Sequence, residues 1–443
     1  LYERFGEGFA GHLQGSFCAA LLDDAKGSLF LASDPVGSHP LYWLRCGRRF
    51  VFASELKSVL ADPDAPHELD RRAVADYLSF GFPLGTKTLA AGVSLLPPGA
   101  ILSYRTSDGA CDIRRYRRIG DAFRPWEGTR DDYLQAVREA FEGAVGRAVS
   151  GTPPLGLSVS GGLDTRAILS VVAKRRASVS TYTLGIRGCA DERIAEDLSR
   201  IAATKHRFHE LDERYLGEFL PNVRRMVSLT DGMYLTHGLT ELLALRLLEE
   251  ADFGILIRGH GGELAKTRLA WPFHTDDRVR AMRDGAELVP YLAKRAAYVS
   301  EGVDLRELLT EESFRAVDGT AERSLAESAA EAALSPPDLC SYLYLVELHR
   351  RFTVASLELF RNAVEIRTPF TDLAFLEVLF RGRSEWREDT DIHRAIIGAN
   401  SPALGRVRNS NTGAPATASP LIAAAFDKVN SLLRRLRVPG YRH

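Results

Sequence analysis

The chain has 443 residues, 45% of them hydrophobic and 26% charged, which supplies apolar material for roughly two or three cores and excludes wholesale disorder. Its 57 Lys+Arg against 58 Asp+Glu leave a net charge of -1, so no basic balance recruits nucleic acid and a small-molecule or peptide partner is favoured. The five cysteines (Cys18, Cys46, Cys111, Cys189 and Cys340) form no Cys-x-x-Cys pair, which fits a reduced cytoplasmic chain, and no run approaches the ~18 apolar residues of a membrane span.

Residues 1–118 read as β-rich. Short apolar runs at 17–22, 29–32 and 50–53 are separated by Asp23-Asp24, Lys26-Gly27, Asp34-Pro35 and Gly47. Val74, Tyr77 and Leu78 share a face and predict a short helix over Arg71–Phe80, and Pro97-Pro98-Gly99 precedes a strand over 100–104. Residues 119–128, with Gly120, Pro125 and Gly128, read as a linker. A long helix capped near Thr129 follows, with Leu134, Val137, Phe141, Val145 and Ala148 at three- and four-residue steps.

The pattern then changes. Strands are expected at 155–160, 179–184, 207–211 and 253–258, and helices at 165–175, 191–203 and 239–249. This alternation predicts a parallel sheet with helices on both faces. Beyond residue 275 the chain reads as helical to about residue 400, and 400–420, rich in Ser, Asn, Gly, Pro and Thr, reads as a loop.

The sharpest chemical signal is Ser158-Val159-Ser160-Gly161-Gly162-Leu163-Asp164-Thr165-Arg166, set between a buried strand and a helix. Adjacent glycines let the backbone approach a ligand, and the helix N-terminus aims free N–H groups and a positive dipole end at the loop. Ser160 and Thr165 add hydroxyl donors, and Asp164 a carboxylate suited to Mg²⁺ riding on phosphates. The string is neither a Walker A loop nor a dinucleotide fingerprint. His206 and His209 have helical metal spacing but lie on an expected strand, where they point to opposite faces.

Ser-Gly-Gly-Leu-Asp-Thr resembles the pyrophosphate loop of the N-type ATP pyrophosphatases, above all the asparagine synthetase family with its β-lactam-forming and lasso-peptide-cyclising relatives. Further resemblances follow in family order. Phe52-Ala53-Ser54-Glu55-Leu56-Lys57 and Asp34-Pro35-Val36-Gly37-Ser38-His39-Pro40-Leu41-Tyr42 are similar to strings of the family's glutaminase domain, with Ser33 where an Arg is usual. Thr183-Leu184-Gly185-Ile186, Gly259-His260-Gly261-Gly262-Glu263 and Glu365-Ile366-Arg367-Thr368-Pro369-Phe370-Thr371-Asp372 are similar to strings of its synthetase domain.

The resemblance implies a partial N-terminal-nucleophile-type β-sandwich over 1–118 that lacks its nucleophilic Cys, Cys18 being read as core. An α/β adenylating (ATP pyrophosphatase, HUP-like) domain with a helical extension follows over 129–443. It implies an AMP- and pyrophosphate-forming ligase with ATP and Mg²⁺ as cofactors. A small-molecule or peptide carboxylate is activated as an acyl-adenylate and captured by ammonia or an amine; neither nucleic acid nor membrane is a partner, and a homo-oligomer is left open. Ser158, Ser160, Gly161, Gly162, Leu163, Asp164, Thr165, Leu184, Gly185 and Gly259 are expected to hold nucleotide. Asp164 and Glu263 are expected to bind metal, Glu263 replacing the family's Asp. Asp231, Gly261 and Gly262 are expected to line the substrate pocket.

His260, Lys266 and Arg408 are the candidate catalytic groups. His260 is a candidate base or a packed loop residue. Lys266 is placed to reach a phosphate or solvent. Arg408 lies in a C-terminal loop without the Lys that several members carry. Glu365 and Arg367 are expected to pair structurally. An intramolecular cyclase and a non-catalytic nucleotide- or partner-binding relative remain the alternatives.

Overall fold

The computed structural model describes residues 1–47, 49–151, 154–234, 236–249 and 253–435. They form two compact units. The first comprises Leu1–Arg124, Val227–Leu235 and Thr267–Ser356; the second comprises Pro125–Met226, Thr236–Lys266 and Leu357–His443. The last residues of the expected 129–443 segment, 436–443, lie outside the described residues.

The first unit holds seven strands: β1 (Cys18–Asp23), β2 (Ser28–Ser33), β3 (Tyr42–Cys46), β4 (Arg49–Ala53), β5 (Ser94–Leu95), β6 (Ala100–Arg105) and β7 (Cys111–Arg115). They make a four-stranded sheet in the order β1-β2-β6-β7 and a three-stranded sheet in the order β4-β3-β5, antiparallel throughout. Leu31, Leu102 and Tyr104 of one sheet pack with Trp43 and Phe50 of the other, and the Phe50 and Tyr104 rings stack at 4.4 Å. Cys18 packs against this cluster. At the end of β2 the Asp34 carboxylate accepts the backbone N–H groups of Phe17, Val36, Gly37 and Ser38, which shapes the Asp-Pro-Val-Gly turn; Gly37 takes a φ of 70°. Ser33 donates its hydroxyl to Pro97 O at 2.5 Å.

Helices from 267–356 complete this unit. A π-helical stretch, Tyr344–Thr353, is buried along almost its whole length although it carries Glu347, Arg350 and Arg351. Each of these side chains is hydrogen-bonded, although Arg351 Nε is left without a partner. Glu347 accepts from Ser328 Oγ and Gly85 N, Arg350 donates to Gly85 O and Leu96 O, and Arg351 donates to Gly85 O and Lys87 O. Satisfied charge-assisted bonds of this kind hold the helix on the 84–97 segment; a missing partner would leave a buried ion exposed to the full desolvation cost.

The second unit is an α/β layer structure. Its five strands, β8 (Leu155–Ser158), β9 (Val179–Gly185), β10 (Lys205–Glu210), β11 (Ile255–Ile257) and β12 (Glu365–Arg367), are all parallel, in the order β10-β9-β8-β11-β12. The expected parallel sheet is therefore present. The helix entering it, Arg130–Ala148, starts with a Thr129–Asp132 capping box and buries Tyr133, Val137, Phe141 and Val145. Helices Asp164–Arg175 and Ala190–Ile201 connect β8 to β9 and β9 to β10.

Several sequence expectations shift: the strands expected at 207–211 and 253–258 are Lys205–Glu210 and Ile255–Ile257, and the stretch expected to be helical from 275 to 400 contains the strand Glu365–Arg367. β8 stops at Ser158 rather than 160, because Val159 leaves the strand and the loop turns at Ser160. The segment 400–420 is not all loop: Pro402 opens a short helix, Pro402–Arg406, and Arg408 bridges Pro415. Glu365 and Arg367 do pair, at 2.7 Å, and Arg367 also donates to Ala148 O and Ser150 O, which ties β12 to the end of the entry helix.

Candidate functional site

The strand order fixes where ligand chemistry can occur. From β8 the chain steps outward through β9 to β10, then returns to the other side of β8 as β11. Sequence order thus reverses between β8 and β11, and in open parallel sheets the crevice beyond the C-terminal strand ends at such a reversal is the ligand site. The two glycine-bearing loops, 158–165 and 259–263, leave these two strands at that edge.

The loops touch. A methyl group on Gly259 would come within 3.0 Å of Asp164 Cβ and 3.3 Å of Thr165 N, and one on Gly262 would overlap the Asp164 carboxylate. Gly261 turns the second loop with a φ of 88°. Glycine is required at these positions for close backbone approach, not merely for a turn. His260 is half-buried at the apex, between Gly259 and Gly261. Leu184 and Gly185 end β9, next to β8, and Gly185 O accepts Leu211 N–H.

The first loop is fastened from behind. Gly161 N–H donates to Asp191 Oδ1 at 2.8 Å, and Gly161 O accepts Ser410 N–H. Gly162 N–H reaches Ser160 Oγ at 3.3 Å. Arg166, fully buried on the helix that follows, donates to Gly161 O, Val407 O and Arg408 O at 3.0, 2.7 and 2.8 Å. Burial draws its guanidinium down to about 10, still cationic at neutral pH. Arg408 therefore meets the loop's anchor through its backbone carbonyl. The Thr165 hydroxyl is buried at the helix start without a hydrogen-bond partner. An orphaned hydroxyl beside the helix N-terminus fits a phosphate oxygen.

Asp164 is arranged differently from expectation. Its Oδ2 accepts Lys266 Nζ at 2.7 Å and its Oδ1 accepts His393 Nε2 at 2.8 Å. Burial alone would raise this carboxyl, but Lys266 and His393 override it and hold it well below the usual carboxylate range. Burial also lowers Lys266, and the carboxylates of Asp164 and Glu263 more than reverse that. His393 is fully buried, which depresses its basicity and keeps it neutral, with Nε2 as the donor. Its ring stacks on Phe370 at 5.4 Å. Both Asp164 oxygens are thus engaged by the chain, one of them by a cationic ammonium. In this arrangement Asp164 pairs with the chain's own cation, which differs from the metal-ligand role expected of it. Among the described residues, no group of three or more His, Cys, Asp or Glu side chains is placed to hold a metal.

Of the remaining expected residues, Ser158 ends β8, and Leu163 is the residue before the helix, its side chain buried. Asp231 belongs to the first unit, where its Oδ2 accepts Leu56 N–H at 3.0 Å and so caps the helix Leu56–Leu60. His206 bonds to Thr181 and Ser199 through Nδ1, and His209 sits beside the Tyr182 ring.

Sequence reading missed Arg166, Asp191 and His393. Arg166 carried a faint signal, since a charge on the buried face of a core helix needs a partner. His393 carried none. Arg258 was also missed: it is buried at the end of β11, paired with Glu241 at 2.9 Å and lying over the Phe360 ring.

Residues 136–398, more than half of the chain, match the family model described as asparagine synthase, and residues 1–117 match one described as a glutamine amidotransferase domain. Asparagine synthetase [glutamine-hydrolyzing] 1 of Bacillus subtilis strain 168 is 29% identical over 222 residues, covering 47% of this chain and 34% of that protein. Number 3 of the same organism is 30% identical over 194 residues, covering 41% of this chain and 30% of that protein. The chain thus spans about a third of the length of these relatives. Among solved structures, an NMN synthetase from Francisella tularensis aligns with 45% of this chain and 95% of its own at 12% identity, with a TM-score of 0.23. The paired glycine loops at the strand reversal and the match over more than half of the chain lead to one conclusion: this chain belongs to the asparagine synthase family.

Proposed function

We propose that the chain is an ATP-dependent amide-forming ligase of the asparagine synthetase type, with ATP held in the crevice between β8 and β11. The observation that carries this reading is the contact of the two glycine loops there, with Thr165 Oγ1 buried and unpartnered at the helix start. In this reading the N–H groups of the helix start and Thr165 Oγ1 hold the β- and γ-phosphates, while Leu184 and Gly185 present backbone groups toward the adenine. Lys266 faces the same phosphates.

A substrate carboxylate oxygen attacks the α-phosphorus, the bond to the bridging β-oxygen breaks, and pyrophosphate leaves. Ammonia or an amine then attacks the acyl carbon and AMP departs, the surplus amine proton passing to His260 or to solvent. The residues contribute positioning and charge neutralisation, which are the main sources of rate in such transfers. The nitrogen donor in this reading is ammonia or an amine, and the amidotransferase match over 1–117 relates the chain to glutamine-using enzymes.

Thr165→Val tests the reading cleanly. The hydroxyl has no protein partner, so its loss does not destabilise the fold. It removes one hydrogen bond to a charged oxygen, about 1.5–3 kcal/mol, so ATP affinity falls by about 10- to 100-fold. Isothermal titration with ATP, and pyrophosphate release over a panel of carboxylates with ammonium, supply the readout. No ATP binding at millimolar nucleotide, or equal binding by wild type and variant, refutes the site. Binding without pyrophosphate release from any carboxylate would instead identify a nucleotide-binding relative that no longer turns over.

A further inference from the structure

The Asp164 carboxylate stands at the phosphate crevice, and a lysine of the same chain is already paired with it. Lys266 Nζ lies 2.7 Å from Asp164 Oδ2, and Glu263 acts on the same ammonium. Only 11% of the Lys266 side chain is exposed, while 22% of the Asp164 side chain is, so the ammonium is held in place yet borders the open side of the crevice. The short turn Gly262–Ala265 sets this geometry: Lys266 N–H donates to Glu263 O, which brings Lys266 back toward the loop it leaves.

The other Asp164 oxygen is also fixed. His393 Nε2 holds Oδ1 at 2.8 Å, and the imidazole is enclosed and stacked on Phe370, so it cannot swing aside. Mg²⁺ binds carboxylate oxygen at about 2.0–2.1 Å in a near-octahedral shell. Placed on Oδ2, it would meet the ammonium at close range, and two cations at ~4 Å in a partly buried site repel by several kcal/mol. Each oxygen thus already carries one donor of the chain, and the one facing Lys266 carries a full positive charge.

We propose that Lys266 is the resident cation at Asp164: its ammonium neutralises that carboxylate in place of a divalent ion and donates to the phosphates of the bound nucleotide, so that ATP binds this chain without metal at Asp164. The proposal rests on the nucleotide-site reading above and deepens it. An ammonium supplies one positive charge and three donors, enough to hold a phosphate oxygen while keeping the Asp164 contact.

ATP affinity of the whole chain, measured in excess EDTA and in excess MgCl₂, tests this. The expected result is wild-type Kd values within about threefold of each other. Lys266→Met is expected to lose at least tenfold in EDTA and to recover most of it in MgCl₂, since the Asp164 carboxylate, released from the ammonium, then admits the ion. A thermal melt of the variant establishes that it is folded. A second readout uses Mn²⁺ alone: the free-ion electron paramagnetic resonance signal stays undiminished with wild type and falls with Lys266→Met. Wild type that needs Mg²⁺ for tenfold or more of its ATP affinity, or that takes up one Mn²⁺ per chain, overturns the proposal while leaving the nucleotide site standing. Failure to bind ATP in either buffer refutes the nucleotide site itself, and the proposal with it.

Discussion

Replacing Arg166 with Met should release the C-terminal loop from the glycine loop without unfolding the sheet. The guanidinium makes three bonds of 3.0 Å or less to backbone carbonyls of Gly161, Val407 and Arg408. Hydrogen bonds to a charged donor contribute about 1.5–3 kcal/mol each, so three amount to about 5–9 kcal/mol before offsets. Two offsets apply. Burying the guanidinium itself costs several kcal/mol, which the variant recovers. Gly161 O and Val407 O also keep backbone donors, Ser410 N–H and Ala416 N–H, so Arg408 O loses most. The net loss is about 3 kcal/mol, or roughly a 100-fold rise in local opening at ~1.4 kcal/mol per factor of ten. Amide hydrogen exchange reads this directly. The amides of Asn409, Ser410, Gly413 and Ala416, which close the loop, should exchange about 100-fold faster, and those of β9 should keep their protection. Unchanged exchange in the loop, or an equal loss throughout the sheet, would refute the view that Arg166 acts as a local tether.

Two further outcomes follow from the same geometry. Gly262→Ala places a methyl against the Asp164 carboxylate and should weaken ATP binding at least tenfold, whereas Gly217→Ala, with open space around it, should bind as wild type; equal affinities in titration calorimetry would show that the two loops need not touch. In the first unit, burial raises Asp76 from 3.8 to about 6, only partly countered by Lys87 at 3.1 Å. Because the folded value lies above the unfolded one, folding takes up a proton. The contribution is complete below about pH 3.8 and is lost as pH rises through about 6. It amounts to about 3 kcal/mol over that window. Asp76→Asn should remove this share of the difference between urea midpoints at pH 5 and pH 7, and an unaltered difference would count against the raised value.

Much of the site was legible because its chemistry is local. Ser160, Gly161, Gly162, Asp164 and Thr165 sit within six residues of one another, between a strand and a helix whose periodicities are plain in the sequence. The second loop, Gly259 to Glu263, follows its own strand in the same way. The parallel sheet was readable from alternation, and the helix Arg71–Phe80 from the spacing of Val74, Tyr77 and Leu78. The short helix Pro402–Arg406 was not readable, because the Ser, Pro and Gly around it give weak periodicity. Asp231 had a local signal as well, but its use as a cap for Leu56 N–H joins positions 175 residues apart.

The sequence by itself determined the two glycine loops, the strands that carry them and the family resemblance, since each depends on residues close in the chain and on backbone freedom. Tertiary structure alone decided what Asp164 does. Its partners Lys266 and His393 lie 102 and 229 residues away, on elements brought together by the order of strands and the packing of the C-terminal helices. No local pattern marks a lysine as the counter-ion of a distant aspartate, because charge pairing depends on separation in space, and that separation is set only once the sheet has folded.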